Sequence, residues 1–297
     1  MKDIDTNLYS RQIKTYGIDT MSKLQNLKIL IIGMRGLGVE IAKNLILSGV
    51  KEVKIFDKDI CEINDIGSNY YLSEKNIGDR RDISCLQKLK ELNSYVNIEI
   101  FEEDILENIS FFDVIVITEI LDKNLIFNID EKCHENNISF IYCLNFGLSG
   151  FIFSDFGKKH VITDPNGKPK KTYFIKNIDK SGIITVDQTN REEFTLKNGN
   201  FVIFKEVEGI NELNDGKPKK IINVSGNSFS IEDDNINFEN YKIGGIIEEV
   251  IIPKEMGYKK FKDCFDIPYL EPKFPDIYDN SKEGRNEMLH IAILAIY

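Results

Sequence analysis

The chain has 297 residues, of which 42% are hydrophobic, and its formal net charge at pH 7 is −10. This length allows two domains of ordinary size, each with a buried core. The negative charge argues against nucleic acid as a partner, because phosphate binding needs a basic face. The sequence contains no run of eighteen apolar residues, so no membrane span is predicted.

Residues 1–154 alternate between short apolar runs and segments with helical spacing of apolar residues, which predicts an open α/β sheet. The predicted strands are Lys28–Ile32, Val53–Asp57, Val96–Ile100, Asp113–Thr118 and Ser139–Cys143. The predicted helices are Val39–Leu47, Ile83–Leu92 and Leu125–Glu135.

A glycine-rich loop, Gly33-Met34-Arg35-Gly36-Leu37-Gly38, joins the first strand to the first helix. In a dinucleotide fingerprint the first glycine makes the tight turn, the second lets the phosphates approach and the third lets the helix pack. Gly33 and Gly38 suit the first and third roles, but Arg35 takes the second, where its side chain would fill the phosphate space. The loop therefore predicts a Rossmann-like fold without a bound nucleotide. The alternative is that Arg35 turns outward and binds phosphate as a cation.

Asp57 ends the second predicted strand, where an acid binds the ribose in nucleotide-binding members of this fold. Without a usable glycine loop, we expect Asp57 instead to cap or solvate a turn.

After Ser154 the helical spacing disappears and short β-rich runs follow, separated by turn signals. The predicted strands are Lys159–Thr163, Lys171–Ile175, Gly182–Val186, Phe201–Glu206, Lys220–Val224, Ser228–Ile231 and Gly245–Ile252. Residues 155–252 are therefore predicted to form a small all-β, barrel-like insert. Residues 253–297 are predicted to return to the first domain and to stop inside an apolar helix, Asn286–Tyr297, as expected of a fragment.

The cysteines and histidines show no spacing typical of a disulfide framework or a zinc site, so reduced thiols and no metal are predicted. The cysteines are Cys61, Cys85, Cys133, Cys143 and Cys264, and the histidines are His134, His160 and His290. The adjacent pair Cys133-His134 is interpreted as coincidence rather than as a nucleophile and its base.

Taken in order, several short motifs together resemble the N-terminal part of eukaryotic ubiquitin-activating enzymes (E1), over essentially the whole chain. They are Tyr9-Ser10-Arg11-Gln12, the loop Gly33–Gly38, Tyr70-Tyr71-Leu72, Ile77-Gly78, Leu92-Asn93-Ser94-Tyr95-Val96, Asp155-Phe156-Gly157, Phe204–Gly209, Gly244-Gly245-Ile246 and Leu289-His290-Ile291. The resemblance implies an inactive, ThiF/MoeB-like adenylation half-domain into which the first catalytic-cysteine half-domain is inserted.

The resemblance also implies that the residues which handle ATP are lost here. Active members carry an Asn and an Arg that hold ATP in the stretch matching Asp65–Tyr70, where this chain has Gly67 and Ser68. They also carry a magnesium-binding Asp after the strand matching Val114–Thr118, and only Glu119 or Asp122 could be a weak substitute. The family's reactive cysteine belongs to a later half-domain, and none of the five cysteines here matches it.

In family members the counterpart of Arg11 reaches in trans to the γ-phosphate of ATP in the active half, so the resemblance implies that role for Arg11. Without the resemblance, a surface cation on a helix would be the simpler interpretation.

The implied partners are the active adenylation half of the same polypeptide, ubiquitin and E2 conjugating enzymes. The resemblance also implies ATP and Mg in the full enzyme and a cytoplasmic and nuclear location. The alternatives are the smaller subunit of a heterodimeric SUMO- or NEDD8-type E1 and a stand-alone Rossmann oxidoreductase.

Overall fold

The computed structural model describes residues 4–164, 167, 169–187, 194–233, 236–265 and 295. The chain divides into two compact units, Met1–His160 with Gly257–Tyr297, and Val161–Met256. The predicted C-terminal helix Asn286–Tyr297 lies outside the described residues, apart from Ala295. Among the described helices, none is both long and apolar enough to cross a membrane.

The first unit is built on a six-stranded sheet with the order β3-β2-β1-β4-β5-β6. Strands β1 to β5 pair in parallel, and β6 pairs antiparallel with β5 at the edge. The strands are β1 (Lys28–Ile32), β2 (Glu52–Phe56), β3 (Asn97–Ile100), β4 (Val114–Ile117), β5 (Ser139–Phe146) and β6 (Ser149–Asp155).

Helices cover both faces of this sheet, and the two faces hold separate hydrophobic cores. In β1, Ile29 and Ile31 point into one core, whereas Leu30 and Ile32 point into the other. This burial on both faces explains the continuous apolar run in the sequence. The helices are α1 (Ser10–Tyr16), α2 (Ile18–Leu24), α3 (Gly36–Ser48), α4 (Ile63–Ile66), α5 (Arg81–Lys90), α6 (Ile105–Asn108), α7 (Lys123–Asn136) and α8 (Phe261–Phe265).

The second unit contains a closed antiparallel barrel with the strand order β10-β11-β12-β9-β8-β13 and its own apolar core. The barrel closes where β10 pairs with β13. Two short strands, β7 and β14, form a separate two-stranded sheet. The strands are β7 (His160–Ile162), β8 (Thr172–Ile178), β9 (Ile184–Val186), β10 (Phe201–Lys205), β11 (Lys219–Ser225), β12 (Ser228–Ile231), β13 (Ile246–Val250) and β14 (Lys254–Met256).

The prediction of an open α/β sheet interrupted by a barrel is confirmed. The domain limits differ, because the sequence placed the insert at 155–252 and the structure places the second unit at 161–256. At the C-terminal limit, β14 (Lys254–Met256) still belongs to the second unit. At the N-terminal limit the difference arises at β6, which the sequence analysis missed. Asp155 ends this strand, is fully buried, and binds the His134 side chain of α7, so the chain still belongs to the first unit there.

Candidate functional site

The glycine loop has the tight geometry that its first and third glycines suggest. Gly33 has a φ of +95° and donates its N–H to the carbonyl oxygen of Phe56 at 2.8 Å. A Cβ at Gly38 would lie 1.9 Å from the carbonyl oxygen of Gly33, so only glycine lets α3 approach the loop this closely. These two positions therefore fix α3 against the end of β1.

Arg35 and Gly36 stand where phosphates would approach a nucleotide-binding loop. Arg35 is the exposed N-cap residue of α3, in an extended conformation with φ −72° and ψ −174°. A Cβ at Gly36 would lie 2.9 Å from the Cβ of Ser68, so Ser68 packs closely on the first residue of the helix. The start of α3 is thus flanked by Arg35 and covered by Ser68.

Asp57 does not solvate a turn, as the sequence had suggested, because only 1% of it is exposed. Its carboxylate accepts the N–H of Met34 at 2.7 Å and the N–H of Asp59 at 3.1 Å. It also accepts from Nη1 of Arg81, at 2.8 Å from Oδ1 and 2.6 Å from Oδ2. Asp57 does cap the turn that follows β2, but its carboxylate is buried and engaged from several sides.

Arg81, at the start of α5, is a buried site residue that the sequence analysis missed. It is fully buried, and its Nε donates to Asp65 at 3.1 Å while its Nη2 donates to the carbonyl of Ile60 at 3.1 Å. Burial alone would lower the pKa of Arg81, but the hydrogen bonds and charges of Asp57 and Asp65 outweigh it and hold the pKa above its usual value. The sequence offers Arg80 and Arg81 side by side, and the pattern alone cannot say which one points inward.

Asn69 completes this buried network from the same Asp65–Tyr70 stretch. It is fully buried, and its Nδ2 donates to the carbonyl of Met34 in the glycine loop at 2.9 Å. Its Oδ1 accepts the N–H of Tyr71 at 3.0 Å. We call Asp57, Asp65, Asn69 and Arg81 the loop-support network, because together with the Met34 backbone they tie the glycine loop to the chain that follows β2.

Two residues after β4 pack on the other side of the loop. The Thr118 hydroxyl donates to the carbonyl of Gly33 at 2.9 Å. The Glu119 side chain lies against Gly33, with its Cβ and Cγ 3.1 and 3.2 Å from where a Cβ of Gly33 would be. Burial, followed by the charges of Asp57 and Asp59, raises the pKa of Glu119 to about 7.

The two candidate substitutes for a magnesium-binding acid have different surroundings. Asp122 is the N-cap of α7, where it accepts the N–H groups of Asn124 and Leu125. Ligand atoms of Asp57, Asp59 and Glu119 lie within 4.8 Å of one another, the one such cluster in the part of the chain that the structure describes. The Arg81 guanidinium already neutralises Asp57 in this cluster, which disfavours a cation there. The sequence prediction of no metal stays a prediction.

Arg11 lies on α1 and takes no part in the hydrogen bonds of the loop-support network. It is exposed, and among the described residues its guanidinium has no ion-pair partner. Tyr9, two residues earlier, is only 4% exposed and receives a hydrogen bond from Asn93 at 3.1 Å. The structure therefore presents Arg11 to solvent next to a firmly packed tyrosine.

Burial raises the pKa of all five cysteine thiols, that of Cys85 to about 11. A thiol with a raised pKa is a poor nucleophile at neutral pH. His134 bonds Oδ2 of Asp155 through its Nδ1 at 2.7 Å, and in the described part of the chain no hydrogen bond joins it to the Cys133 thiol. None of these cysteines has the environment of a reactive thiolate.

A sequence profile of the ThiF family matches residues 9–199, and a profile described as the ubiquitin-activating enzyme E1 FCCH domain matches residues 179–251. The chain is 38% identical over 99% of its length to "Ubiquitin-activating enzyme E1 1" of Triticum aestivum. It is 37% identical over 99% of its length to "Ubiquitin-like modifier-activating enzyme 1" of Homo sapiens.

The chain spans only 28% and 27% of the length of these two curated relatives, respectively. Among solved structures, E. coli MccB with succinimide aligns with 46% of this chain and 45% of its own, at 23% identity and a TM-score of 0.42, a likeness too weak to carry an argument. The profile covering residues 9–199, with the observed parallel sheet and glycine loop, shows that the chain belongs to the ThiF family.

Proposed function

We propose that this chain is the inactive adenylation half, with its inserted FCCH barrel, of a ubiquitin-activating enzyme. The complete enzyme adenylates the ubiquitin C-terminus with ATP and Mg, passes ubiquitin to an enzyme cysteine, and then serves E2 conjugating enzymes. The FCCH match falls in the barrel that interrupts the chain of the first unit, and together with the ThiF match it supports this function best. The chain supplies scaffold, a trans arginine and part of the ubiquitin-docking surface to the active adenylation half of the same polypeptide.

The main support for the inactivity of this half comes from the loop-support network. A ribose hydroxyl needs an accessible carboxylate, but Asp57 is 1% exposed and already accepts from Arg81 and two backbone N–H groups. Ser68 covers Gly36, and the acidic side chain of Glu119 lies over Gly33, where it would repel phosphate. We infer that the former nucleotide site has become a structural support.

The Arg11 role rests on chemistry and position. Attack of a carboxylate on the α-phosphate of ATP develops charge on the phosphates, and a guanidinium is a fixed-charge, multidentate donor suited to stabilising it. Arg11 is exposed and, in the described part of the chain, has no partner to withdraw it.

The alternatives are less well supported. A stand-alone oxidoreductase would need phosphate access at the second glycine position and a free ribose acid, and Arg35 and the buried Asp57 oppose both. A smaller subunit of a SUMO- or NEDD8-type E1 stays second, because the barrel matches a domain described for ubiquitin-activating enzyme E1.

The inactivity is tested by isothermal titration of the chain with ATP and magnesium, and separately with NAD. We expect no heat of binding at micromolar concentrations. One-to-one binding with micromolar affinity would show that the loop still accepts a nucleotide.

The arginine role is tested in the complete gene product by ubiquitin-dependent ATP–pyrophosphate exchange. Arg11→Ala is expected to slow exchange by about 10²–10³-fold, because it removes one preorganised donor from a site where charge develops. Arg11→Lys should rescue only part of the rate, since lysine keeps the charge but loses the planar fork. Lys14→Ala, an exposed cation on the same helix, is the matched control. A wild-type rate for Arg11→Ala with an unchanged melt would remove the trans-arginine role.

A further inference from the structure

We propose that Tyr9 and Asn93 are positioning residues that fix where Arg11 is presented. This inference rests on the proposed role of Arg11 in trans. It concerns how a short helix at the surface can hold a guanidinium in one place.

Helix α1 cannot hold Arg11 by itself. It has seven residues, none of them buried, and its N-cap residue Tyr9 provides no side-chain cap. A helix this short is marginal in water, because few hydrogen bonds compensate for the cost of nucleation. Its place in the molecule must therefore come from contacts with the rest of its unit, among them the contact of the N-cap residue.

Tyr9 supplies the contact at the N-terminal end. Its ring lies over Gly49, the left-handed C-cap of α3 with φ +83°, so closely that a Cβ at Gly49 would lie 2.7 Å from ring carbons. At 4% exposure the tyrosine is almost fully buried. Its carbonyl accepts the N–H of Ile13 at 2.9 Å, which links the buried ring to the first turn of α1.

Asn93 holds the tyrosine hydroxyl. Its Nδ2 donates to Oη of Tyr9 at 3.1 Å and to the carbonyl of Ile46 in α3 at 3.0 Å. Its Oδ1 accepts the N–H of Tyr95 at 3.1 Å, and the Tyr95 hydroxyl in turn donates to Asp5 at 3.2 Å. Asn93 thus joins the N-terminal segment to the C-terminal end of α3, whose Ile46 is part of a buried core.

The fixed position of Tyr9 restricts the position of Arg11 directly. Arg11 follows Tyr9 by two residues in the same helical turn, about 3 Å along the axis, so its backbone has little freedom once Tyr9 is fixed. On α1, Gln12 and Ile13 are half-buried whereas Arg11 is exposed, so the helix presents Arg11 away from its own unit. The motifs Tyr9–Gln12 and Leu92–Val96, far apart in sequence, therefore form one hydrogen-bonded structure.

The test compares Tyr9→Ala, Tyr9→Phe and Asn93→Ala in the complete gene product, each in the wild-type and the Arg11→Ala background. In the wild-type background we expect pyrophosphate exchange to fall about tenfold to a hundredfold for Tyr9→Ala, since small misplacements of a positioned group have effects of this size. Tyr9→Phe and Asn93→Ala should give smaller losses, because the ring contact with Gly49 stays. The loss should fall on kcat, with the KM for ubiquitin unchanged.

In the Arg11→Ala background the same three changes should cause no further loss, because there is no arginine left to position. Ile129→Val is the matched control: Ile129 is buried on the opposite face of the sheet, and its change lowers stability by about as much as one lost hydrogen bond without touching α1.

Three outcomes decide the matter. If Arg11→Ala slows exchange but the Tyr9 and Asn93 variants do not, the inference is overturned and the proposed function stands. If the Tyr9 and Asn93 variants reduce the rate of pyrophosphate exchange by the same factor in both backgrounds, their role is general stability and the inference is again overturned. If Arg11→Ala has no effect, the arginine role and this inference are overturned together.

Discussion

One buried carboxylate, that of Asp57, accepts donors from the glycine loop, the following turn and helix α5 at the same time. Its partner Arg81 is fully buried and also forms an ion pair with Asp65. Removing the guanidinium would therefore leave two nearly buried carboxylates without their ion-pair partner. Breaking a buried ion pair from one side costs about 3–5 kcal/mol, because the remaining charge has lost its solvent and its partner.

We therefore expect Arg81→Ala to reduce the free energy of unfolding by about 3–5 kcal/mol. The comparison is Lys43→Ala, which removes an ion pair with Glu40 on the surface of α3 and should cost much less, because exposed ion pairs contribute little to stability. Urea denaturation of the isolated chain measures both. Similar losses for the two variants would mean that the buried pair contributes no more than a surface pair.

Glu119 gives the site a dependence on pH whose sign follows from its raised pKa. Its pKa in the folded protein is about 7, against 4.5 for an ordinary glutamate, so the folded state binds the proton more tightly than the unfolded chain. Ionising Glu119 thus opposes folding, and this penalty is absent below about pH 4.5 and complete above about pH 7.

Glu119→Gln removes the charge and with it the penalty. The melting temperature of Glu119→Gln minus that of the wild type should increase between pH 5 and pH 8, measured by thermal denaturation across that range. Glu103→Gln, at an exposed carboxylate, is the control and should show no such trend. A difference that does not vary with pH would contradict the raised pKa of Glu119.

At the scale of elements, the contact between α3 and the end of β1 depends on the absence of a side chain at Gly38. A Cβ there would lie 1.9 Å from the Gly33 carbonyl oxygen and 2.6 Å from Oγ1 of Thr118, so the helix would have to move off the loop. We expect Gly38→Ala to destabilise the protein by about 3 kcal/mol or more, at the upper end of overpacking effects.

Gly67→Ala is the matched glycine change. Gly67 has a right-handed conformation, φ −69°, and the nearest atom to an added Cβ is the Asn64 carbonyl oxygen at 3.6 Å. This alanine should be neutral or stabilise by about 0.4–1 kcal/mol through the unfolded state. Thermal melts of the two variants compare them, and equal stabilities would show that the loop can yield at Gly38.

At the scale of the whole molecule, the barrel has a closed ring of strands and a core of its own. A closed barrel leaves no unpaired sheet edge, and its apolar residues are buried within the unit. The span Val161–Met256 is therefore expected to fold when expressed alone, with a β-type circular dichroism spectrum and a cooperative melt. A helical spectrum, or a melt without a transition, would show that the barrel needs the rest of the chain.

Much of the fold could be predicted from the sequence because its signals are local. A strand buried on both faces must be continuously apolar, so Lys28–Ile32 was identified with its observed limits. The roles of Gly33 and Gly38 followed from the spacing of a strand, a tight turn and a helix. The change from helical spacing to short β runs indicated the barrel.

The loop-support network and the Tyr9 anchor could not be predicted, because their partners meet only in the folded chain. Arg81 and Asp57 are 24 residues apart, Asn69 and Met34 are 35 apart, and Asn93 and Tyr9 are 84 apart. Which of two adjacent arginines turns inward depends on the helix phase and on carboxylates supplied by other elements.

The sequence by itself determined the sheet, the glycine turn and the barrel, whose signals lie within single elements. Only the tertiary structure decided that the buried charges beside the glycine loop, Asp57, Asp65 and Arg81, are paired with one another, because a buried charge is stable only where the fold brings it a partner.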